Sequence, residues 1–131
     1  MSGGDGGSPR VRRVYDPLED GDGTRVLVDR LWPRGVSKER AAVDVWLKDL
    51  TPSAELRSWY HEDRSGARYD AFVERYRTEL AGPAPAEAVH RLLALLAGDG
   101  PVTLVTAVKD VSRSHVPVLV EYLEHERARG T

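Results

Sequence analysis

The stretch VLVDRLWPRGVS, from Val26 to Ser37, begins as an apolar run and then turns abruptly polar. Its first residues are typical of a buried strand, and Asp29, Arg30, Trp32 and Arg34 follow immediately. Guanidinium and carboxylate groups are costly to bury, and arginine pairs well with anions and aromatic rings. The cluster therefore needs an anionic or aromatic partner, either inside the protein or outside it.

Four segments are predicted to be strands, and one of them overlaps the start of the stretch quoted above. Val102 to Val108 (VTLVTAV) is apolar and β-branched on both faces, as in a central parallel strand that is covered on two sides. Arg25 to Val28 leads directly into the polar cluster, and Val11 to Tyr15 alternates apolar and charged residues like a strand near a sheet edge. Val43 to Leu50 also alternates with period two, which favours a strand or an extended arm over a helix.

Helical patterns separate these strands. Apolar spacing predicts amphipathic helices over Tyr69–Leu80 and after Pro85, and a final helix that holds Pro117 in its first turn. Ser53 is placed to cap a shorter helix, and Ser37 to cap a single helical turn. Strands that alternate with helices predict an α/β fold: a small, single-domain open sheet, mostly parallel, with helices packed on it.

The chain of 131 residues, 40% hydrophobic and 31% charged, has the size and composition of one globular domain. We expect that domain over residues 10–124, between a disordered Gly/Ser-rich tail at 1–9 and a charged, frayed tail at 125–131. One core is predicted to contain Val26, Leu27, Val28, Phe72, Tyr76, Leu92, Leu96, Leu104, Val105, Leu119 and Leu123.

Composition also bounds the function. The chain has no cysteine, which excludes disulfides, thiolate metal sites and a cysteine nucleophile, and which suits the cytoplasmic location that we expect. No apolar run has the length of a membrane span and the start does not resemble a signal peptide, so no membrane partner is expected. The net charge of −2 argues against tight nonspecific DNA binding, although basic residues crowd the first third of the chain.

Five segments, in this order, carry a specific family resemblance. They are DRLWPRGVSKE (Asp29–Glu39), WLKDLTPS (Trp46–Ser53), LRSWYHED (Leu56–Asp63), FVERYRTEL (Phe72–Leu80) and VTLVTAVKD (Val102–Asp110). Together they resemble the YeaO-like family of small bacterial proteins, a domain of unknown function (488), over about residues 10–124. The resemblance implies a compact, single-domain α/β protein, and it implies no activity.

Charged side chains follow both apolar strands at the point where each strand ends. Ligands of open parallel sheets bind at the carboxyl ends of the strands, so parallel and adjacent strands would bring these groups to one edge. Arginines there would hold a phosphate or carboxylate, carboxylates would orient the ligand or act as a base, and an imidazole would transfer a proton. The predicted catalytic residues are Asp29, Asp110 and His115, and the predicted ligand-binding residues are Arg30, Trp32, Arg34 and Lys109.

A structural interpretation competes with this one, because Asp29, Arg30, Arg34 and Asp49 together have the charges of an internal salt-bridge network. His61 is either a second acid/base group or a cap of a helix C-terminus. Nucleotide-cofactor motifs and metal-ligand spacings are absent, so the sequence predicts no cofactor and no metal.

Three functions stay open at this point. The first is an enzyme or ligand-binding domain that acts on an anionic small molecule, namely a nucleotide or a phosphorylated metabolite. The second, less favoured, is a non-enzymatic accessory protein that associates with nucleic acid. The third is a protein-interaction module that uses its tryptophans as anchors. The sequence does not distinguish an enzyme from a binding protein, and it does not give the oligomeric state.

Overall fold

The computed structural model describes residues 8–130. Its strands are β1 (Arg10–Arg13), β2 (Thr24–Leu27), β3 (Val45–Trp46) and β4 (Val102–Thr106). They form one sheet in the order β1-β4-β2-β3, and each neighbouring pair is parallel. The predicted α/β architecture with a central β4 is confirmed, and β1 lies at an edge as its alternating pattern indicates.

The α-helices of the described residues are α1 (Lys38–Ala41), α2 (Ala54–Glu62), α3 (Tyr69–Leu80), α4 (Ala86–Leu96) and α5 (Val116–Gly130). Ser37 and Ser53 cap α1 and α2 as predicted, because their side chains accept hydrogen bonds from the backbone N–H groups of Arg40 and Leu56. Short 3-10 turns lie at Asp20–Asp22, Lys48–Leu50 and Val111–Arg113.

The core of residues 8–130 consists of two apolar clusters, so the prediction of a single core is wrong. Val26 and Leu104 belong to a large cluster with α2, α3, α4 and α5, whereas Leu27 and Val105 belong to a smaller one with Val14, Val36 and Ala41. All eleven residues assigned to the core are buried. They separate because successive side chains of a strand point to opposite faces of the sheet.

The predicted strand over Val43–Leu50 is also too long. β3 pairs with β2 only at Val45 and Trp46, because the last residue of β2, Leu27, is already paired with Trp46. The chain then turns, and Leu47 and Leu50, three residues apart, are both buried in the large cluster. The alternation of apolar and polar residues in this segment thus continues beyond the last residue that pairs with β2.

Gly23 allows β2 to begin beside the residue that precedes β4. Its φ is +64°, and a Cβ atom there would lie 2.1 Å from the carbonyl oxygen of Pro101. The close approach lets the Thr24 N–H donate to that same oxygen at 3.0 Å. The first pairing of the two central strands therefore depends on a residue without a side chain.

The N-terminal end of the described chain packs on the domain. Pro9 is buried and the Ser8 hydroxyl donates to Glu124, while residues 1–7 of the predicted tail lie outside the described residues. α5 begins at Val116 and is continuous to Gly130, through most of the segment that the sequence predicts as a frayed tail. No helix between residues 8 and 130 is both long enough and apolar enough to cross a bilayer.

Candidate functional site

The carboxyl ends of β2 and β4 lie side by side and open into a cleft of about 1010 Å³. The pairing continues past the strands, since the Val28 N–H donates to the Val105 carbonyl oxygen at 3.1 Å. The seven residues predicted from the sequence all line this cleft: Asp29, Arg30, Trp32, Arg34, Lys109, Asp110 and His115. The parallel register places them together, as the sequence argument requires.

Asp29 connects the two strand ends. One carboxylate oxygen, Oδ1, accepts from the Thr106 hydroxyl at 2.7 Å, and the other, Oδ2, accepts from the Ala107 N–H at 2.7 Å. Asp29 is 9% exposed and Thr106 is fully buried, so both bonds are shielded from bulk water. This carboxylate is fixed by the protein itself, which favours a positioning role over that of a mobile base.

His115 is held in a similar way. Its Nε2 lies 2.7 Å from the Val28 carbonyl oxygen and 3.8 Å from Oδ1 of Asp29, so Nε2 carries a proton and donates to the carbonyl. Burial lowers the pKa of His115 below its ordinary value, although the Val28 carbonyl and the Asp29 charge act in the opposite direction. The imidazole is therefore neutral near pH 7 and braces the end of β2 against the start of α5.

The cleft carries an excess of positive charge. Six basic side chains line it, namely Arg30, Arg34, Arg57, Arg64, Lys109 and Arg113, against the carboxylates of Asp29, Asp63 and Asp110. Asp63 accepts from the Ser65 hydroxyl and Asp110 from the Ser112 hydroxyl, each at 2.6 Å. Each of the three carboxylates thus accepts a hydrogen bond from an uncharged group of the chain. Within residues 8–130, none of them forms an ion pair with an arginine of the cleft.

Two of the basic residues already have a backbone partner. An Nη of Arg30 donates to the Pro52 carbonyl oxygen at 3.2 Å, and an Nη of Arg113 donates to the Gly66 carbonyl oxygen at 2.7 Å. Within residues 8–130, the side chains of the other four make no hydrogen bond or ion pair: Arg34, Arg57, Arg64 and Lys109. These four cations are available to an external anion.

The predicted salt-bridge network is wrong for the described part of the chain. No ion pair there joins Asp29 or Asp49 to Arg30 or Arg34, because Asp29 is occupied by Thr106 and by the backbone. Both arginines are exposed instead. The polar loop is held by hydrogen bonds to main-chain groups, and its arginines stay at the surface of the cleft.

The three tryptophans have different surroundings. Trp32 lines the cleft, donates from Nε1 to the Val36 carbonyl oxygen at 2.7 Å and meets Trp46 edge-on at 5.5 Å between ring centroids. Trp46 in turn donates to the Asp29 carbonyl oxygen at 2.7 Å. The two indoles therefore hold the backbone of the loop that follows β2. Trp59 is not among the residues lining the cleft; the guanidinium groups of Arg68 and Arg75 lie over its ring, at 4.9 and 4.0 Å from the centroid.

One wall of the cleft was only partly anticipated from the sequence. His61, named there as an acid/base group or a helix cap, is exposed and lines the cleft beside Arg57 and Arg64, which the sequence reasoning missed together with Arg113 in the turn before α5. The resemblance segment LRSWYHED marks this region, but no local rule ties the end of a helix to the edge of a sheet. The described residues hold no group of three or more His, Cys, Asp or Glu side chains suited to a metal ion.

Comparison with known proteins shows the family to which the chain is related. The family model DUF488-N3i, described as the inactive DUF488-N3 subclade, matches residues 9–131. Uncharacterised proteins Rv3073c of Mycobacterium tuberculosis and Mb3100c of Mycobacterium bovis are each 45% identical over 114 residues, 87% of this chain and 92% of theirs. The uncharacterised protein YeaO of Escherichia coli is 44% identical over 114 residues, 87% of this chain and 95% of its own. No solved structure matches significantly.

Proposed function

The chain belongs to the YeaO-like DUF488 family, and from that premise we propose that it binds an anionic small molecule, a nucleotide or a phosphorylated metabolite, without transforming it. The observation that carries the proposal is the charge of the cleft. Six basic side chains line the cleft with three carboxylates, and these carboxylates already accept hydrogen bonds from uncharged groups of the chain. Within residues 8–130, four of the six basic side chains form no hydrogen bond or ion pair. Guanidinium groups form bidentate, charge-assisted hydrogen bonds with phosphate, which suits them to this ligand class.

Binding is favoured over catalysis by the state of the two groups best suited to acid–base chemistry. Asp29 accepts from Thr106 and Ala107, and the protonated Nε2 of His115 is directed at a backbone carbonyl. In this proposal both are positioning residues that hold the ends of β2 and β4 in register. Asp110 orients the loop through Ser112, and the description of the matching subclade as inactive accords with these roles.

The proposal assigns the anion to Arg34 and Lys109, with Arg30 and Trp32 beside them. A titration of the full chain with inorganic phosphate, followed by amide NMR shifts, tests it. Arg34→Ala should weaken phosphate binding by about 1.5–3 kcal/mol, the value of a hydrogen bond to a charged group, or about 10- to 150-fold. The matched control is Arg91→Ala, because Arg91 is exposed on α4 and does not line the cleft.

The result that overturns the proposal is specific. If Arg34→Ala and Arg91→Ala bind phosphate equally, the cleft arginine does not hold the anion. If no phosphate-induced shift appears at the cleft but a single-stranded oligonucleotide binds with a steep dependence on salt, the accessory-protein hypothesis replaces this one. Urea unfolding of both variants controls for loss of fold. The Arg34 side chain forms no hydrogen bond or ion pair within residues 8–130, so Arg34→Ala should leave the free energy of unfolding unchanged.

A further inference from the structure

Two apolar side chains are exposed where the cleft is lined by cations. Leu31 is 71% exposed and Tyr15 is 39% exposed, and both belong to the cleft wall. Only two other large apolar residues within residues 8–130 are exposed, Val11 and Leu18, and neither lines the cleft. An exposed apolar surface that adjoins a polar site is a common mark of a ligand-binding contact.

Both residues are connected to the loop that carries Arg30 and Arg34. Leu31 lies between Arg30 and Trp32 in the chain, and all three line the cleft. The Tyr15 hydroxyl donates to the Arg34 carbonyl oxygen at 3.5 Å, which ties the ring to the same loop. The cleft thus presents positive charge and apolar surface side by side.

We infer that the ligand is an anion joined to an apolar or aromatic group, and that Leu31 and Tyr15 cover this group while the basic side chains hold the anion. The inference rests on the function proposed above and narrows its ligand class. An inorganic anion or a polyhydroxylated sugar phosphate would leave Leu31 exposed to water, and only an apolar group gains free energy by covering it.

Phenyl phosphate and inorganic phosphate are the two probes, and the full chain is titrated with each under identical conditions by amide NMR shifts. Phenyl phosphate should bind about tenfold more tightly, because its ring is removed from water against Leu31 and Tyr15. Leu31→Ser should reduce this advantage to about twofold and leave the affinity for inorganic phosphate unchanged. Leu18→Ser is the matched control, since Leu18 is 53% exposed outside the cleft.

The outcomes separate this inference from the function on which it rests. If neither probe shifts cleft residues, the proposed anion binding fails and the inference fails with it. If both bind with equal affinity, anion binding stands and only the apolar subsite is refuted. If Leu18→Ser lowers the phenyl phosphate advantage as much as Leu31→Ser does, the ring lies elsewhere and the inference is overturned.

Discussion

Replacing Asp29 with alanine removes the carboxylate that joins the ends of β2 and β4. Two hydrogen bonds are lost, from the Thr106 hydroxyl and from the Ala107 N–H, each 2.7 Å long. A hydrogen bond to a charged group contributes about 1.5–3 kcal/mol, and the fully buried Thr106 hydroxyl is left without its acceptor. The variant also avoids the cost of burying a carboxylate, so the free energy of unfolding should fall by about 3–5 kcal/mol.

Urea unfolding followed by far-UV circular dichroism measures this loss. With an m-value of about 2 kcal/mol/M, a loss of about 4 kcal/mol lowers the urea midpoint by about 2 M. Asp29→Asn keeps one acceptor oxygen and should lose about half as much. Asp110→Ala is the matched control, because Asp110 is an exposed cleft carboxylate with one bond to Ser112, and its loss should stay near 0.5 kcal/mol.

A positioning role for Asp29 is refuted if Asp29→Ala lowers the free energy of unfolding by less than about 1 kcal/mol, or by no more than Asp110→Ala does. Either result would mean that the carboxylate does not hold the strand ends together, and that its place beside His115 needs another explanation. A large stability loss in Asp29→Ala with little in Asp110→Ala supports a positioning role for Asp29.

Two further predictions concern the same pair of strands. Gly23→Ala should lower the free energy of unfolding by about 2–4 kcal/mol, because the new Cβ would lie 2.1 Å from the Pro101 carbonyl oxygen and the backbone φ is +64°. Gly100→Ala is the control, because a Cβ there would have open space around it. Equal melting temperatures for the two variants would contradict this prediction. Burial lowers the pKa of His115 in the folded protein, so its contribution to stability is complete above the unfolded pKa of about 6.5 and is lost as the pH falls below it. His115→Gln should therefore flatten the fall in stability between about pH 7.5 and pH 5.5, and unchanged slopes in urea unfolding at several pH values would show that another group titrates.

Local patterns were sufficient for most of the fold. The i, i+4, i+8 spacing of Phe72, Tyr76 and Leu80 determines which face of α3 is buried. The hydroxyls of Ser37 and Ser53 determine where two helices begin. The β-branched run in β4 predicts a central strand covered on both faces. These features are readable because each depends on neighbours within a few positions along the chain.

Other features depend on which strand lies beside which. The alternating pattern at Val43–Leu50 does not reveal that pairing stops at Trp46, because the end of β2 sets that limit. The pattern also gives no sign that Leu27 and Val105 pack apart from Val26 and Leu104, which follows from the placement of α2–α5 on one face of the sheet.

For the candidate site, the sequence alone determined the polar cluster after β2, the charged groups after β4 and, through parallel pairing, their shared edge. Only the tertiary structure decided what each group contacts. Asp29 accepts hydrogen bonds from a hydroxyl and a backbone N–H at the end of β4, and it forms no ion pair with an arginine of the described chain. The guanidinium of Arg57, which has no partner among residues 8–130, reaches the cleft from α2, a helix distant in sequence. Residue types and spacing show which charges are present. Which of them pair depends on their distances in space, and those distances follow from the pairing of β2 with β4 and from the packing of the helices.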